Sequence, residues 1–217
     1  MKAEDVVNYL RDNPGFFEDY AEMLAQIYIP HPHGGRAIPI AERQILTLRE
    51  KSRMLEGKLA ELIEFGEEND AIGEKMHRLC LALFPAGTLH ALLQALYYNL
   101  REDFAVPHAA LRIWRADAAP GDGPEFAPVS EDLRLYAGSL AHPLCGADAN
   151  PEMLSWFGDA AAQLRSVACI PLLDGSKACF GLLALASEDA ARFYPEMGTL
   201  YLKRLGELLS AALQRYL

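Results

Sequence analysis

Apolar residues recur at spacings of three and four along much of this chain, the pattern of amphipathic helices. Residues 3 to 28 show this pattern on both sides of Asn13-Pro14-Gly15, a strong helix breaker. The segment therefore predicts two short helices separated by a turn. Phe16 and Phe17 follow the breaker directly, and we expect them to clamp the two helices together.

A long, charged helix is predicted from Pro39, which suits a first helical turn, to Leu83. It carries a heptad repeat, here called the heptad seam, which is regular from Ile45 to Leu62 and weaker beyond. The seam comprises Ile45, Leu48, Ser52, Leu55, Leu59, Leu62, Gly66, Asn69, Gly73, Met76, Cys80 and Leu83. Charged residues surround it, and a solitary helix of this kind is only marginally stable in water. We therefore predict a parallel homodimer through residues 40–83; the alternative is that the stripe packs on the chain's own domain.

Beyond residue 84 the pattern alternates between helices and strands. The predicted elements are a helix capped by Thr88 and running to Asp103, a strand at 108–116, a short helix at 151–164, two strands within 166–187 joined by Asp174-Gly175, and a closing helix at 198–217. In the first strand, Leu111 and Ile113 share one face and Arg112 and Trp114 the other. This order predicts an α+β fold, an antiparallel sheet flanked by helices.

Three regions follow from these elements. Residues 1–38 form a helical segment and hinge, residues 39–84 a coiled coil, and residues 85–217 the domain that contains the sheet. The hinge contains His31 and His33, which could offer imidazoles to a metal. No third ligand lies nearby, so we predict a solvated elbow and no metal site.

Charge and composition limit the classes of partner and the cellular location that we expect for this protein. The net charge of −10 disfavours nucleic acid, and the basic residues between 36 and 58 are interleaved with glutamates. The N-terminus lacks the apolar core of a signal peptide, and no stretch is long and apolar enough to span a bilayer. The four cysteines form no C-x-x-C pair. We expect a cytoplasmic, soluble protein with reduced thiols.

Several stretches resemble the GAF domain, a fold shared by many bacterial sensors. They are "SVACIPL", the turn "DGSK", "CFGLLALAS" with Gly181 in its second strand, "EDAARFYPE" and the closing helix. Together with "VVNYLRDNPGFF", "IPHPHGGRAIPIAERQ", "LREKSRMLEGKLAELI" and "CGADANPEMLSWFG", they resemble one uncharacterised proteobacterial family that joins a helical segment, a coiled coil and a GAF domain. The resemblance implies a fold and a cytoplasmic bacterial setting. It brings no catalytic or ligand-binding residues with it.

GAF folds usually hold small molecules between the sheet and a covering helix and loop. The elements of this chain that correspond to such a site are strand 109–114, loop 139–146, helix 152–164 and the hairpin. The candidate lining residues are Arg112, Trp114, Cys145, Trp156, Phe157, Ser166 and Cys169. An arginine beside aromatic rings suits an anionic or planar ligand. The alternative is that these aromatic residues are ordinary core. The N-K-F-D-E-like motif of cyclic-nucleotide-binding GAF domains is absent, and no cysteine lies in a bilin-attachment context.

Cys145 has a second possible role. It lies in the predicted loop 139–146 near His142, where an imidazole could lower the pKa of the thiol. Some GAF-fold enzymes reduce free methionine sulfoxide with loop cysteines, but no resolving cysteine is evident here.

Three functions follow in order of preference. The first is a non-enzymatic, dimeric sensor, in which a small molecule or a protein engages the GAF-like domain and the change passes through residues 70–83. The second is a dimerisation and docking scaffold with no small-molecule ligand. The third is a Cys145-dependent reductase or hydrolase. A face filled by its own side chains favours the scaffold, and an open cavity favours the sensor. The sequence identifies neither a cofactor nor a ligand.

Overall fold

The computed structural model describes residues 2–29, 38–115 and 123–217. The predicted hinge at His31 and His33 lies outside these residues, as does most of the turn-rich loop that follows the first strand of the sheet. Contacts divide the chain into two units, residues 1–68 and residues 69–217, and the division falls within one long helix.

The first unit begins with three short helices. They are α1 (Ala3–Asp12), α2 (Phe16–Asp19) and α3 (Ala21–Gln26). The predicted break at Asn13-Pro14-Gly15 is confirmed, because α1 ends immediately before it. Phe16 acts as the clamp: its ring packs edge-on against Tyr9 of α1, with centroids 6.4 Å apart, and stacks on Tyr20 at 4.7 Å. A two-residue antiparallel pairing of β1 (Tyr28–Ile29) with β2 (Ile38–Pro39), which the sequence pattern did not predict, follows.

The long helix α4 (Ile40–Leu83) agrees with the predicted span and continues through Gly66 and Gly73. Every residue from 43 to 71 is exposed. Leu79 and Leu83, in contrast, are buried in the core of the second unit. The end of the heptad seam therefore packs on its own domain, while the regular part lies open to solvent.

The second unit is built on a four-stranded antiparallel sheet. Its strands are β3 (His108–Ile113), β4 (Leu144–Gly146), β5 (Ser166–Leu173) and β6 (Cys179–Ser187), in the spatial order β3-β6-β5-β4. The predicted hairpin is present, with Ala168 opposite Leu185 and Ile170 opposite Leu183. Together with its flanking helices, the sheet confirms the predicted α+β class.

Both faces of the sheet are covered. On one face, here called the α8 face, α5 (Leu89–Glu102), α8 (Leu200–Leu213) and the end of α4 share a core with Ala168, Ile170 and Leu183. The opposite face, here called the α6 face, is covered by α6 (Glu131–Ser139) and α7 (Pro151–Ser155), and a 3₁₀ helix at Gly158–Gln163 follows α7. Burial on both faces explains why β5 and β6 are almost continuously apolar instead of alternating with polar residues.

Local capping determines where these helices start. The hydroxyl of Thr88 accepts a hydrogen bond from the amide of Ala91, as predicted, and Ser130 caps α6 in the same way through Leu133. The amide of Ser130 also donates to the carboxylate of Glu152 at 2.8 Å, which joins the starts of α6 and α7. The sequence pattern did not predict α6, and the predicted loop 139–146 in fact contains strand β4.

Two glycines permit close approach in the core. A Cβ atom on Gly181 of β6 would lie 2.7 Å from the backbone oxygen of Arg112 in β3. A Cβ atom on Gly206 of α8 would lie 2.7 Å from Cγ2 of Ile170 in β5. The glycine that carried part of the resemblance therefore has a packing reason in this chain, since it lets β3 and β6 pair closely.

The hairpin turn is longer than two residues, as expected. Oδ1 of Asp174 accepts hydrogen bonds from the amides of Ser176 and Ala178, at 2.8 and 3.0 Å. Lys177 has a φ of 66°, a left-handed conformation that this turn imposes. The aspartate thus replaces ladder hydrogen bonds that the turn interrupts.

We expect Gly181→Ala to lower the free energy of unfolding by about 1–3 kcal/mol, because the new methyl group must displace the backbone of β3. Urea denaturation measures the change. Gly175→Ala in the hairpin turn is the matched control, since a Cβ atom there meets nothing within 4 Å, and it should leave stability nearly unchanged. Equal stability of the two variants would show that β3 and β6 do not approach as closely as described.

Candidate functional site

Five of the seven predicted lining residues lie on the α6 face. Alternation along β3 and β5 brings Arg112 and Cys169 to this face, and Trp114 extends the same series beyond β3. Trp156 and Phe157 come from the turn that ends α7 and pack against the same core. The sequence-based prediction therefore identified residues from three separate elements that are neighbours in space.

The other two predicted residues, Cys145 and Ser166, were misplaced. Cys145 lies in strand β4 rather than in a loop, pairs with Ala168, and is buried in the core of the α8 face. Ser166 falls on the same side of β5 as Ala168, and its hydroxyl donates to the backbone oxygen of Asp189 at 2.6 Å. The error arose because the sequence pattern does not reveal β4, so the side chain of Cys145 was assigned without a strand to orient it.

The interior of the α6 face is filled by its own side chains. Met153 of α7 and Leu133 and Ala137 of α6 have no exposed surface. The thioether sulfur of Met153 lies 3.4 Å from the thiol sulfur of Cys169. At the rim, Trp114 donates its indole hydrogen to the backbone oxygen of Cys179 at 3.0 Å. The interior of the face is thus closed by packing.

Arg112 is the charged residue of this group, and its environment is unusual. Its guanidinium lies over the ring of Trp156, 4.7 Å from the centroid, and Nη1 donates to the backbone oxygen of Leu111. Burial lowers the pKa of Arg112, while nearby Tyr97 and Glu125 act in the opposite direction. A guanidinium stacked on an indole suits recognition of a planar or anionic group, and the nearby carboxylate of Glu125 competes with an anion for it.

Two residues near Arg112, Tyr97 and Glu125, were not predicted from the sequence, and Tyr97 packs against the core of the α8 face. Tyr97 of α5 donates its hydroxyl hydrogen to Oε1 of Glu125 at 2.9 Å, and Glu125 is only 8% exposed. Burial and the adjacent carboxylate raise the pKa of Tyr97, which keeps the phenol neutral and donating. The helical periodicity assigns Tyr97 to the apolar face of α5. A buried tyrosine hydroxyl needs a hydrogen-bond partner, so this residue alone indicated that a polar group lies nearby.

A histidine also borders the α6 face without having been predicted there. His108 begins β3, and its Nε2 lies 2.7 Å from Oε1 of Glu188, which follows the end of β6. The imidazole packs edge-on against Phe157, with ring centroids 6.3 Å apart. The hydrogen bond to the imidazole lowers the pKa of Glu188. This contact fastens the edge strand to its neighbour.

Burial disfavours the thiolate form of the three cysteines in the sheet. Burial raises the pKa of Cys145, and the same effect raises the pKa of Cys169 to about 11 and that of Cys179 above its ordinary value. A nucleophilic cysteine needs the opposite shift, since the thiolate is the reactive form. Within residues 2–29, 38–115 and 123–217 there is also no group of three or more histidine, cysteine or acidic side chains arranged to hold a metal ion.

The fold and the α6 face together define an α+β domain with a helix-covered antiparallel sheet, preceded by a long helix. The chain belongs to the DUF484 family, whose model, described as "Protein of unknown function, DUF484", matches residues 1–217. The chain is 28% identical to the "Uncharacterized protein YigA" of Escherichia coli (strain K12), and 29% identical to that of Shigella flexneri. Each alignment covers 98% of this chain and 91% of the relative.

A third relative, the "Uncharacterized protein YigA" of Salmonella typhimurium, is 26% identical over the same share of both chains. The similarity thus extends from the short N-terminal helices to the closing helix α8. In the part of the chain that the structure describes, no helix is long and apolar enough to cross a membrane.

We expect Cys145 in the folded protein to react with iodoacetamide with an apparent pKa above the ordinary thiol value of about 8.5, because burial disfavours its thiolate. The measurement is the alkylation rate of the peptide that carries Cys145, followed by mass spectrometry across a range of pH. The same peptide in urea-unfolded protein is the control and should show the ordinary value. An apparent pKa well below it would indicate an activated thiolate and revive the cysteine-dependent enzyme.

Proposed function

We propose that this protein is a non-enzymatic, cytoplasmic regulatory module that works as a homodimer and docks a partner protein through a GAF-like domain and its N-terminal helices. The GAF assignment is supported by the sheet with its central hairpin, by Gly181 at the close approach of two strands, and by the closing helix packed on the sheet. Four free cysteines support a reducing compartment.

The exposure of α4 is the observation that carries the proposal. The regular part of the heptad seam is open to solvent, with Leu48, Leu55 and Leu62 exposed by 65%, 56% and 66%. Ile45 and Leu59 on the same stripe are exposed by 50% and 58%. Burying such a side chain contributes about 1.5–3 kcal/mol. A second α4 aligned with the first covers all five at once, which is how coiled coils form.

The filled interior of the α6 face favours docking over small-molecule sensing. A ligand between the sheet and α6 or α7 has to displace Met153, Leu133 or Ala137, all of which are fully buried. Such displacement costs packing energy that the ligand must replace. The raised pKa values of the thiols likewise support a non-enzymatic role, since they leave no activated nucleophile among the three cysteines of the sheet.

The N-terminal helices are the output surface in this proposal. Neither α1 nor α2 contains a buried residue, and Val7, Tyr9, Phe17 and Tyr20 are exposed by roughly half. Apolar and aromatic residues of this kind are enriched where proteins meet. A partner protein that docks here receives the signal from the dimer.

Small-molecule sensing is the second candidate, and one observation favours it. Arg112, Trp156 and Phe157 meet at the rim of the α6 face and are only half-buried. Their chemistry fits an anionic or planar group that seats on the rim without opening the core. In this case the ligand changes the packing of the sheet, and the end of α4 carries the change along the helix.

We expect the double substitution Leu55→Glu/Leu59→Glu to convert the dimer to a monomer at micromolar concentration, because it places charges in the apolar centre of the pairing. Size-exclusion chromatography with light scattering measures the mass. The matched control is Met54→Glu/Ala60→Glu, which alters neighbouring exposed residues off the seam and should leave the dimer intact. A wild-type chain that is already monomeric contradicts the proposed function.

Native and denaturing mass spectrometry of freshly purified protein separates the two candidates. Docking predicts a dimer at bare polypeptide mass. Extra mass that disappears on denaturation identifies a co-purified ligand and favours sensing instead. Arg112→Ala then tests the rim, and it should abolish the extra mass while preserving the dimer.

A further inference from the structure

An apolar groove runs beside the last turns of α4. It has a volume of about 470 Å³. Its lining is apolar except for Arg215 and comprises Cys80, Leu83, Phe84, Leu208, Ala211, Ala212 and Arg215. The helices α4 and α8 run in the same direction here, since the Tyr201 hydroxyl donates to the backbone oxygen of Asn69 and Arg215 donates to that of Phe84. Phe84, at the edge of the groove, is 80% exposed. The groove is thus an apolar surface without a cover in the single chain.

The heptad register identifies what covers it. Counting in sevens along α4 from Ile45 leads to Cys80, and counting from Leu48 leads to Leu83. Two residues that line the groove therefore occupy the same two heptad positions as the exposed part of the seam. Because Leu83 is buried in its own domain, Ala211 and Ala212 of α8 provide the remaining apolar surface at this level.

We infer that a second copy of this chain closes the groove, in a parallel, in-register dimer where α4 and α8 of each protomer form a four-helix arrangement around the two-fold axis. The inference rests on the proposed homodimer and deepens it. Each copy presents the same groove to the other, as an isologous interface requires. Phe84 of one protomer packs against the groove of its partner, and the two Cys80 side chains approach each other near the axis.

The charges beside the seam favour the parallel orientation. Lys51 directly precedes the core residue Ser52, and Glu56 directly follows the core residue Leu55. These are the two flanking positions that face each other across a parallel coiled coil, so Lys51 of one helix faces Glu56 of the other. An antiparallel pair over the same stretch places Lys51 opposite Lys58 as well as Arg49 opposite Glu56, so that attraction and repulsion cancel. It also carries the two grooves to opposite ends, where neither is covered.

Oxidative cross-linking of the native Cys80 tests the arrangement. Copper(II)-phenanthroline in air removes two electrons and two protons from a pair of neighbouring thiols and leaves a disulfide. We expect the wild-type chain to run as a covalent dimer on a non-reducing gel and to lose that band with Cys80→Ser. Cys145 and Cys169 are buried, whereas Cys179 is half-buried like Cys80, so a band that persists in Cys80→Ser would report a cross-link through Cys179 and count against the inference.

Two variants in the Cys80→Ser background calibrate the result. Ser52→Cys, at the same heptad position in the exposed seam, should restore the cross-link in a parallel dimer. Leu81→Cys, next to Cys80 but 61% exposed and off the seam, should not. In addition, Ala211→Glu in the groove should raise the Kd of the dimer roughly tenfold or more, while Gln214→Glu, exposed just beyond the same helix, should leave it unchanged.

The outcomes distinguish the closed groove from the dimer itself. The chain could be dimeric by light scattering and cross-link in the Ser52→Cys variant but not through the native Cys80. That result would retain the proposed dimer and overturn the closed groove. A dimer that cross-links at neither position overturns the parallel arrangement. A monomer at all concentrations overturns both the inference and the proposed function on which it rests.

Discussion

Burial of both faces of the β5–β6 hairpin is the constraint on which the second unit depends. Val167, Leu182 and Ala184 point to one side and Ala168, Ile170 and Leu183 to the other, and all six are buried. An antiparallel hairpin of this composition cannot leave either face in water, because each face then exposes a continuous apolar strip. The helices before, between and after the strands cover these faces, and Gly181 and Gly206 allow strand and helix to approach closely enough.

The same constraint determines which chemistry the domain can offer. Side chains on the hairpin are committed to packing, so the polar groups gather at its edge, where Arg112, Trp156 and Glu125 lie. Thiols within the core acquire raised pKa values because their surroundings are apolar. The polar groups of the domain thus lie at its rim, and burial disfavours the thiolate form of the cysteines in its interior.

The long helix α4, unlike the hairpin, leaves most of its apolar residues exposed to solvent. From residue 43 to residue 71 no side chain of α4 is buried, although leucines recur along one stripe. Exposed apolar stripes of this length are rare on monomers, which is why the proposed pairing was placed on this part of the helix. The change occurs near Leu79, where the helix begins to pack on its own sheet. Helix α4 thus runs from an exposed apolar stripe into the buried core of the second unit.

Local pattern was enough for the long helix, the hairpin, strand β3 and the closing helix, since each carries its own periodicity or pairs with its immediate neighbour. Helix α6 and strand β4 were missed. Helix α6 is short and weakly amphipathic, although Ser130 and the acidic residues after it are a capping signal. Strand β4 has only three residues, and it is a strand only because it pairs with β5. Strand alternation placed Arg112 and Trp114 on one face, and the resemblance to the GAF fold grouped them with Cys169, whereas Cys145 needed the unseen β4 to orient it. The sequence by itself therefore determined the elements and the faces of its regular strands, because these depend on neighbours along the chain. Only the tertiary structure decided that Glu125 contacts Tyr97 and that Met153 fills the α6 face against Cys169. The first contact joins residues 28 positions apart and the second joins residues 16 positions apart. Both depend on how separate elements pack, which no local sequence pattern records.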